Sequence, residues 1–320
     1  MEDAEPIPSH AATPASPPRR RPTYRRVRRG LVAFAVLLAA WMAISFCVAS
    51  RLTRRMQPAI PETAPEVAWG PMEQHRLLAS DGLRIGAWYA EGRAEAPALL
   101  FLHGSGASRA QCLGRAALLR PEIGCALMFI TLRAHGDSDG DYDDIGYGAR
   151  RDVVAAVDFL GARRPGRPIF VVGASLGSAA ATFAAAELGE KVDGYVLESP
   201  YRDLKTAVWN RTQVLPAPLD RAAYLGLRLA AFVLLPHLDA ISPVRAIAGV
   251  PDDVPVLILA GGSDDLATVA EAEAIHERVR THGRLEVFPG ARHNELAVVD
   301  PDRYTRTIVA FVAGACRDRR

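Results

Sequence analysis

Five short runs of the chain are apolar at nearly every position: "PALLFLH" (97–103), "CALMFITL" (125–132), "PIFVVG" (168–173), "DGYVLES" (193–199) and "PVLILA" (255–260). A strand with one wet face alternates apolar and polar residues. A run without that alternation is buried on both faces, as in a parallel sheet covered on two sides. "HRLLAS" (75–80), "LRIGAWYA" (83–90) and "RLEVFP" (284–289) bring the strand candidates to eight. The turn signal "SDG" before "LRIGAWYA" pairs the first two as an antiparallel hairpin. Helical patterns fall between the strands at 107–119, 148–164, 176–188, 270–282 and 303–315. The order predicts an α/β fold with a mostly parallel eight-stranded sheet and helices on both faces.

One stretch breaks the alternation. About residues 201–242 contain no strand candidate, and within them lies the apolar run "AAYLGLRLAAFVLLP" (222–236). It is short for a membrane span. It reads as an insertion, either a lid over a pocket that touches the bilayer or a helix packed on the core, and its length does not separate the two.

Ahead of the domain, seven Arg lie between Arg19 and Arg29, and the twenty residues Leu31–Ser50 carry no charge. At 1.5 Å per residue those twenty span ~30 Å, a bilayer's hydrocarbon thickness. The excess of Arg on the N-terminal side puts that side in the cytoplasm and the bulk of the chain outside it. The segmentation expected is a disordered basic tail (1–29), a transmembrane helix (30–50), a linker with Pro58, Pro61 and Pro65 (51–70) and a folded domain (71–320). The alternative is a cleaved signal peptide, with Val48-Ala49-Ser50 as its cleavage site, followed by secretion. Arg28-Arg29 weakly matches a twin-arginine signal. Phe46 stands where a lipoprotein signal before Cys47 needs a small residue.

The bulk numbers exclude other classes. A net charge of +2 gives no whole-protein field for nucleic acid. The four Cys lack a C-x-x-C pair, so no zinc site is expected; Cys112, Cys125 and Cys316 read as buried free thiols, with a Cys112–Cys125 bridge as the alternative outside the cytoplasm. Asp137, Asp139, Asp141, Asp143 and Asp144 lack the Gly and Glu of a calcium loop and read as a solvated acidic loop.

The chemistry concentrates in "VVGASLGSAA" (171–180). A lone G-x-S-x-G is a weak signal. Here it stands between a strand and a helix, the setting of a nucleophile elbow, where the Ser is held in a strained turn. The positions two before and two after must then be tiny, and Gly173 and Gly177 fill them. The hydroxyl of Ser175 needs a base, best a His held by a carboxylate. His293 follows the eighth strand candidate; Asp264 and Asp265 follow the seventh. All three loops leave one end of a parallel sheet, where sites of open α/β sheets form. The backbone N–H of Leu176 and that of Ser105, with Gly106 as an alternative, are the candidate oxyanion donors. His103 and His135, at strand ends nearby, read as loop braces. His10, His75, His237, His276 and His282 read as surface or packing residues.

The stretch 71–320 resembles the α/β-hydrolase superfamily of serine hydrolases, through "HGSGASR" (103–109), "LRAHGDSDG" (132–140), "GASLG" (173–177), "GGSDDLAT" (261–268) and "GARHNE" (290–295) in that order. With "DGLRIGAWYA" (81–90) it is similar to a bacterial, membrane-anchored subgroup. The resemblance implies Ser175 as nucleophile, His293 as base and 103–106 as the oxyanion loop, and it favours Asp264 over Asp265 without closing the choice. It departs from the family at Ala134, where Gly is usual, and at Ala149, where an acid is usual.

The function expected is hydrolysis of a carboxylic ester, an acyl lipid among the candidates, with no metal or organic cofactor. The same fold also hosts peptidases and thioesterases. A membrane-tethered binding protein is the rival class; such a relative would have lost a member of the triad, and none is lost here. Dehalogenase-type chemistry would want Asp in place of Ser175.

Overall fold

The computed structural model describes residues 23–56 and 58–318. The chain divides into two units, one ending at Ala43 and one running from Ile44. The first unit is most of helix α1 (Thr23–Leu52), of which Tyr24–Leu52 is long and apolar enough to cross a membrane. Residues 23–29, expected in the tail, are helical; the rest of that tail call, and His10, lie outside the described residues.

The second unit holds all eight strands: β1 (Glu73–Leu78), β2 (Arg84–Ala90), β3 (Ala98–Leu102), β4 (Ala126–Ile130), β5 (Ile169–Ala174), β6 (Gly194–Glu198), β7 (Val256–Gly261) and β8 (Gly283–Phe288). They form one sheet in the order β1-β2-β4-β3-β5-β6-β7-β8. β2 pairs antiparallel with both β1 and β4; every other pair is parallel. β3 to β7 are buried at every position, which is why their sequences do not alternate.

The other helices are α2 (Leu113–Ile123), α3 (Arg150–Arg163), α4 (Leu176–Leu188), α5 (Leu204–Thr212), α6 (Leu219–Leu234), α7 (Pro243–Ala246), α8 (Val269–His276), α9 (Leu296–Val299) and α10 (Pro301–Asp318). Alternate strand residues feed two cores. Leu100, Met128, Val171 and Ile258 pack with α3, α4 and α8, while Phe101, Phe129, Val172 and Leu259 pack with α2 and α10. α8 stops earlier than the pattern suggests. The chain tightens there into turns and Gly283 closes onto the Val279 carbonyl to enter β8.

The insertion contributes α5 and α6. Their inner residues Leu204, Ala207 and Ala231 join Leu235 and the α4 residues Ala179 and Phe183 in a third, smaller cluster. The apolar run therefore packs on the core along one stripe only. On its other side Leu225, Leu229, Phe232 and Val233 face outward.

Three sequence expectations are corrected. The stretch 51–70 is not a loose linker. Arg55 donates to the Gly136, Ser138 and Gly140 carbonyls, and Glu62 pairs with Arg109 and accepts from the Thr131 hydroxyl. The acidic loop is not simply solvated. Asp137 pairs with buried Arg109, Asp139 accepts from Arg84, and Asp143 is itself buried. Of the three Cys beyond α1, Cys112 and Cys125 are buried free thiols, but Cys316 is only half-buried.

Candidate active site

β5 ends in a turn at Ser175, whose φ of 51° is a left-handed value that a non-glycine residue adopts at a cost. The Ser175 N–H donates to the Glu198 carbonyl at the end of β6 (2.9 Å), and α4 starts at the next residue. The crowding explains the flanking glycines. A Cβ on Gly173 would stand 2.6 Å from the Gly177 carbonyl carbon, and one on Gly177 would stand 2.5 Å from the Leu102 oxygen. Ser178, one turn into α4, spans the elbow by donating its hydroxyl to the Gly173 and Glu198 carbonyls.

The loops after β7 and β8 are sewn together. Gly262 N–H donates to the Phe288 carbonyl and Ser263 N–H to the Ala291 carbonyl. That brings Asp264 and His293 into register. His293 Nδ1 lies 2.8 Å from Asp264 Oδ2, and its Nε2 lies 2.9 Å from Ser175 Oγ. A carboxylate partner at Nδ1 requires the proton there, which leaves the Nε2 lone pair facing the Ser175 hydroxyl. Asp264 is buried and its other oxygen accepts from the Leu266 and Ala267 N–H groups, each at 2.9 Å. Burial alone would raise its pKa. The His293 hydrogen bond and the two backbone donors outweigh burial and hold it below the ordinary carboxylate value. Asp265, the open alternative in the sequence, is exposed, and the carboxylate hydrogen-bonded to His293 is that of Asp264.

The loop after β3 has three of its N–H groups engaged. Gly104 N–H donates to Gln111 Oε1, Gly106 N–H to His135 Nε2 and Ala107 N–H to the Gly104 carbonyl. Among the described residues no protein acceptor meets the N–H of Ser105 or that of Leu176. The alternative donor, Gly106, is already engaged.

His103 and His135 are braces. Leu132 N–H donates to His103 Nε2, and His103 Nδ1 donates to the Gly104 carbonyl. Burial, followed by the nearby His135, pushes His103 down to about 3, so it stays neutral. His135 Nδ1 donates to the Arg133 carbonyl while Nε2 takes the Gly106 N–H. Ala134, where the family uses Gly, sits at φ 60°.

Sequence reasoning missed a buried ion pair behind the site. Glu198 accepts from Arg115 Nε (2.8 Å) and from the Tyr304 hydroxyl. Arg115 also reaches the carbonyl of Asn294, the residue after His293 (3.3 Å). The signal was present: Glu198 is a charged residue in the otherwise apolar run "DGYVLES". Arg133, within the motif "LRAHGDSDG", holds fully buried Asp152 and exposed Asp81. Asp152 supplies, three residues on, the acid missing at Ala149.

The model of the alpha/beta hydrolase family matches residues 99–307, about two thirds of the sequence, and the chain belongs to that family. Among proteins, it is 28% identical over 226 residues to an uncharacterized protein of Mycobacterium tuberculosis (strain H37Rv), covering 69% of this chain and 72% of that one. An uncharacterized membrane protein of Saccharomyces cerevisiae is 20% identical over 231 residues, 72% and 76% of the two chains. Among solved structures, an esterase from Pyrococcus furiosus superposes with a TM-score of 0.65 at 20% identity, covering 80% of this chain and 97% of that one. A thermostable carboxyl esterase from Bacillus coagulans gives 0.61 at 18%, over 76% and 98%. At these identities the solved structures speak to the fold.

Proposed function

We propose that the protein is a membrane-anchored serine hydrolase that cleaves a carboxylic ester through an acyl-enzyme. The observation that carries this reading is the relay Ser175 Oγ, His293 Nε2, His293 Nδ1, Asp264 Oδ2, with links of 2.9 and 2.8 Å. His293 takes the Ser175 proton as Oγ bonds to the ester carbonyl carbon. The carbonyl π electrons move to oxygen, where the Leu176 and Ser105 N–H groups receive them. The C–O bond of the leaving alcohol then breaks, and His293 returns the proton to that alcohol. Water, deprotonated by the same imidazole, repeats the sequence on the acyl-enzyme and frees the acid. Asp264 keeps the imidazole in its tautomer and stabilises the cation it becomes. No metal or organic cofactor enters these steps. The esterases that share the fold support an ester over an amide or a thioester. The apolar helix α1 and the Arg excess before it support a single span with its N-terminus in the cytoplasm and the hydrolase domain outside.

The test is labelling with a fluorophosphonate, which reacts with a Ser already activated by its base. Membranes holding the full chain should label, and those holding Ser175→Ala should not. Absence of labelling in folded wild-type chain would favour the binding-protein reading. A panel of ester, amide and thioester substrates then separates the three hydrolase classes.

A further inference from the structure

Helix α6 presents an unusual outer face. Leu225 (53% exposed), Leu229 (51%), Phe232 (79%) and Val233 (71%) lie along one side; Leu219, at the start of the helix, and Val214 (82%) and Leu215, in the loop before it, are exposed too. Its inner face is spent on the cluster with Ala179 and Phe183 of α4. The acid within α6, Asp220, is buried, whereas Arg221 and Arg228 are exposed beside the apolar stripe. Arg228 also lines a cavity of about 410 Å³ in which Arg202, Lys205, Arg245 and Arg278 outnumber the acids Asp203 and Asp239, and Asp203 pairs with Arg202. A face of this kind, apolar with cations along its border, suits the interface of an anionic bilayer.

Two further observations say which partner covers it. The first is a chain of contacts. Asp143 N–H donates to the Thr53 carbonyl, Arg54 bridges to Tyr142, and the Tyr142 hydroxyl donates to the Leu234 carbonyl at the end of α6 (2.7 Å). The end of α6 is thus held one side chain away from the point where the chain leaves α1. The second is burial. Residues 44–52 of α1 belong to the same unit as the hydrolase domain, and Ser45, Ala49 and Thr53, a turn apart, are 5–7% exposed. Ser45 precedes the end of the uncharged run by five residues, about 7–8 Å along a helix. If that run spans a bilayer, part of the domain reaches to that depth beside it.

We propose that the outer face of α6 is seated in the headgroup and upper acyl region of the leaflet that α1 leaves, with anionic phospholipid as its partner. This rests on the reading of α1 as a membrane span. It makes α6 an interfacial helix rather than a free lid, immersed to a depth of roughly 5–10 Å. It also sets the wall of the third cluster, which begins one turn beyond Ser175, directly against lipid.

The test uses the full chain with Cys47→Ala and Cys316→Ala, reconstituted in vesicles of phosphatidylcholine with and without phosphatidylglycerol. Single cysteines replace Leu225, Leu229 and Phe232, with exposed Glu187→Cys as the reference, and each carries an environment-sensitive fluorophore. The three α6 labels should emit to the blue of the Glu187 label. Lipid-borne nitroxide should quench them more than aqueous iodide does, and phosphatidylglycerol should strengthen the contrast. Labels on α6 that iodide quenches as readily as at Glu187, in a chain that floats with the vesicles, overturn the inference alone. Protection from both quenchers also overturns it, because a second copy or another protein then covers the face. A chain that does not float overturns the anchor reading and this inference together. Thermal melts of each variant establish that it is folded.

Discussion

Asp264 and Asp265 are neighbours in sequence with opposite surroundings. Asp264→Asn should lower kcat/KM by about four orders of magnitude through loss of the tautomer, and Asp265→Asn should change it only slightly. Steady-state assays on the same ester decide this, and a larger loss at Asp265 would reverse the assignment. The depressed pKa of Asp264 has a stability counterpart. A carboxyl whose folded pKa lies below its unfolded value stabilises the fold above the unfolded value, and the contribution is lost as pH falls through the folded one. The melting-temperature gap between wild type and Asp264→Asn should therefore be full at neutral pH and shrink below about pH 4. At the elbow, Gly177→Ala pushes a methyl into the Leu102 carbonyl and should destabilise by about 1–3 kcal/mol, seen as a shifted urea midpoint.

Elements explain why those residues meet. The loops after β5, β7 and β8 leave one end of the parallel strands, so residues 118 positions apart, Ser175 and His293, come within hydrogen-bonding distance. This was legible in the sequence because unbroken apolar runs reveal parallel strands, and parallel strands put their following loops at one end. The hairpin was legible for a different reason, the turn signal "SDG" between its strands. The Arg115–Glu198–Tyr304 cluster was not, since ion pairing between α2, β6 and α10 depends on their packing order. The insertion was half legible: its apolar run was plain, but which stripe faced inward depended on α4. Removing one partner of a buried ion pair costs about 3–5 kcal/mol. Glu198→Gln should lower the urea midpoint accordingly. Arg115→Met also releases the Asn294 carbonyl, so it should reduce kcat with KM nearly unchanged, as expected when the His293 loop loses its support.

On the scale of the whole molecule, the stretch before β1 is part of the folded unit. The sequence hid this because Pro-rich segments without periodicity read as linkers, and the contacts of Arg55 and Glu62 reach more than sixty positions along the chain. A chain lacking residues 1–72 leaves buried Arg109 with Asp137 as its carboxylate partner. It should melt lower than one lacking residues 1–50. The loss should be about 2 kcal/mol or more, or ~4–8 °C for a domain of this size. A periplasmic-type reporter fused after Arg320 should be active, and a cytoplasmic one silent, if the hydrolase domain lies outside.

Arg55, three residues beyond α1, is stitched to the Gly136, Ser138 and Gly140 carbonyls. A flexible leash would let a catalytic head tumble through a hemisphere above its attachment point, meeting molecules from every side. Here the residues that follow α1 belong to the head itself, so no free leash of that kind lies between them and β1. On the proposed reading of α1 as a span, encounters become a search over an area rather than through a volume.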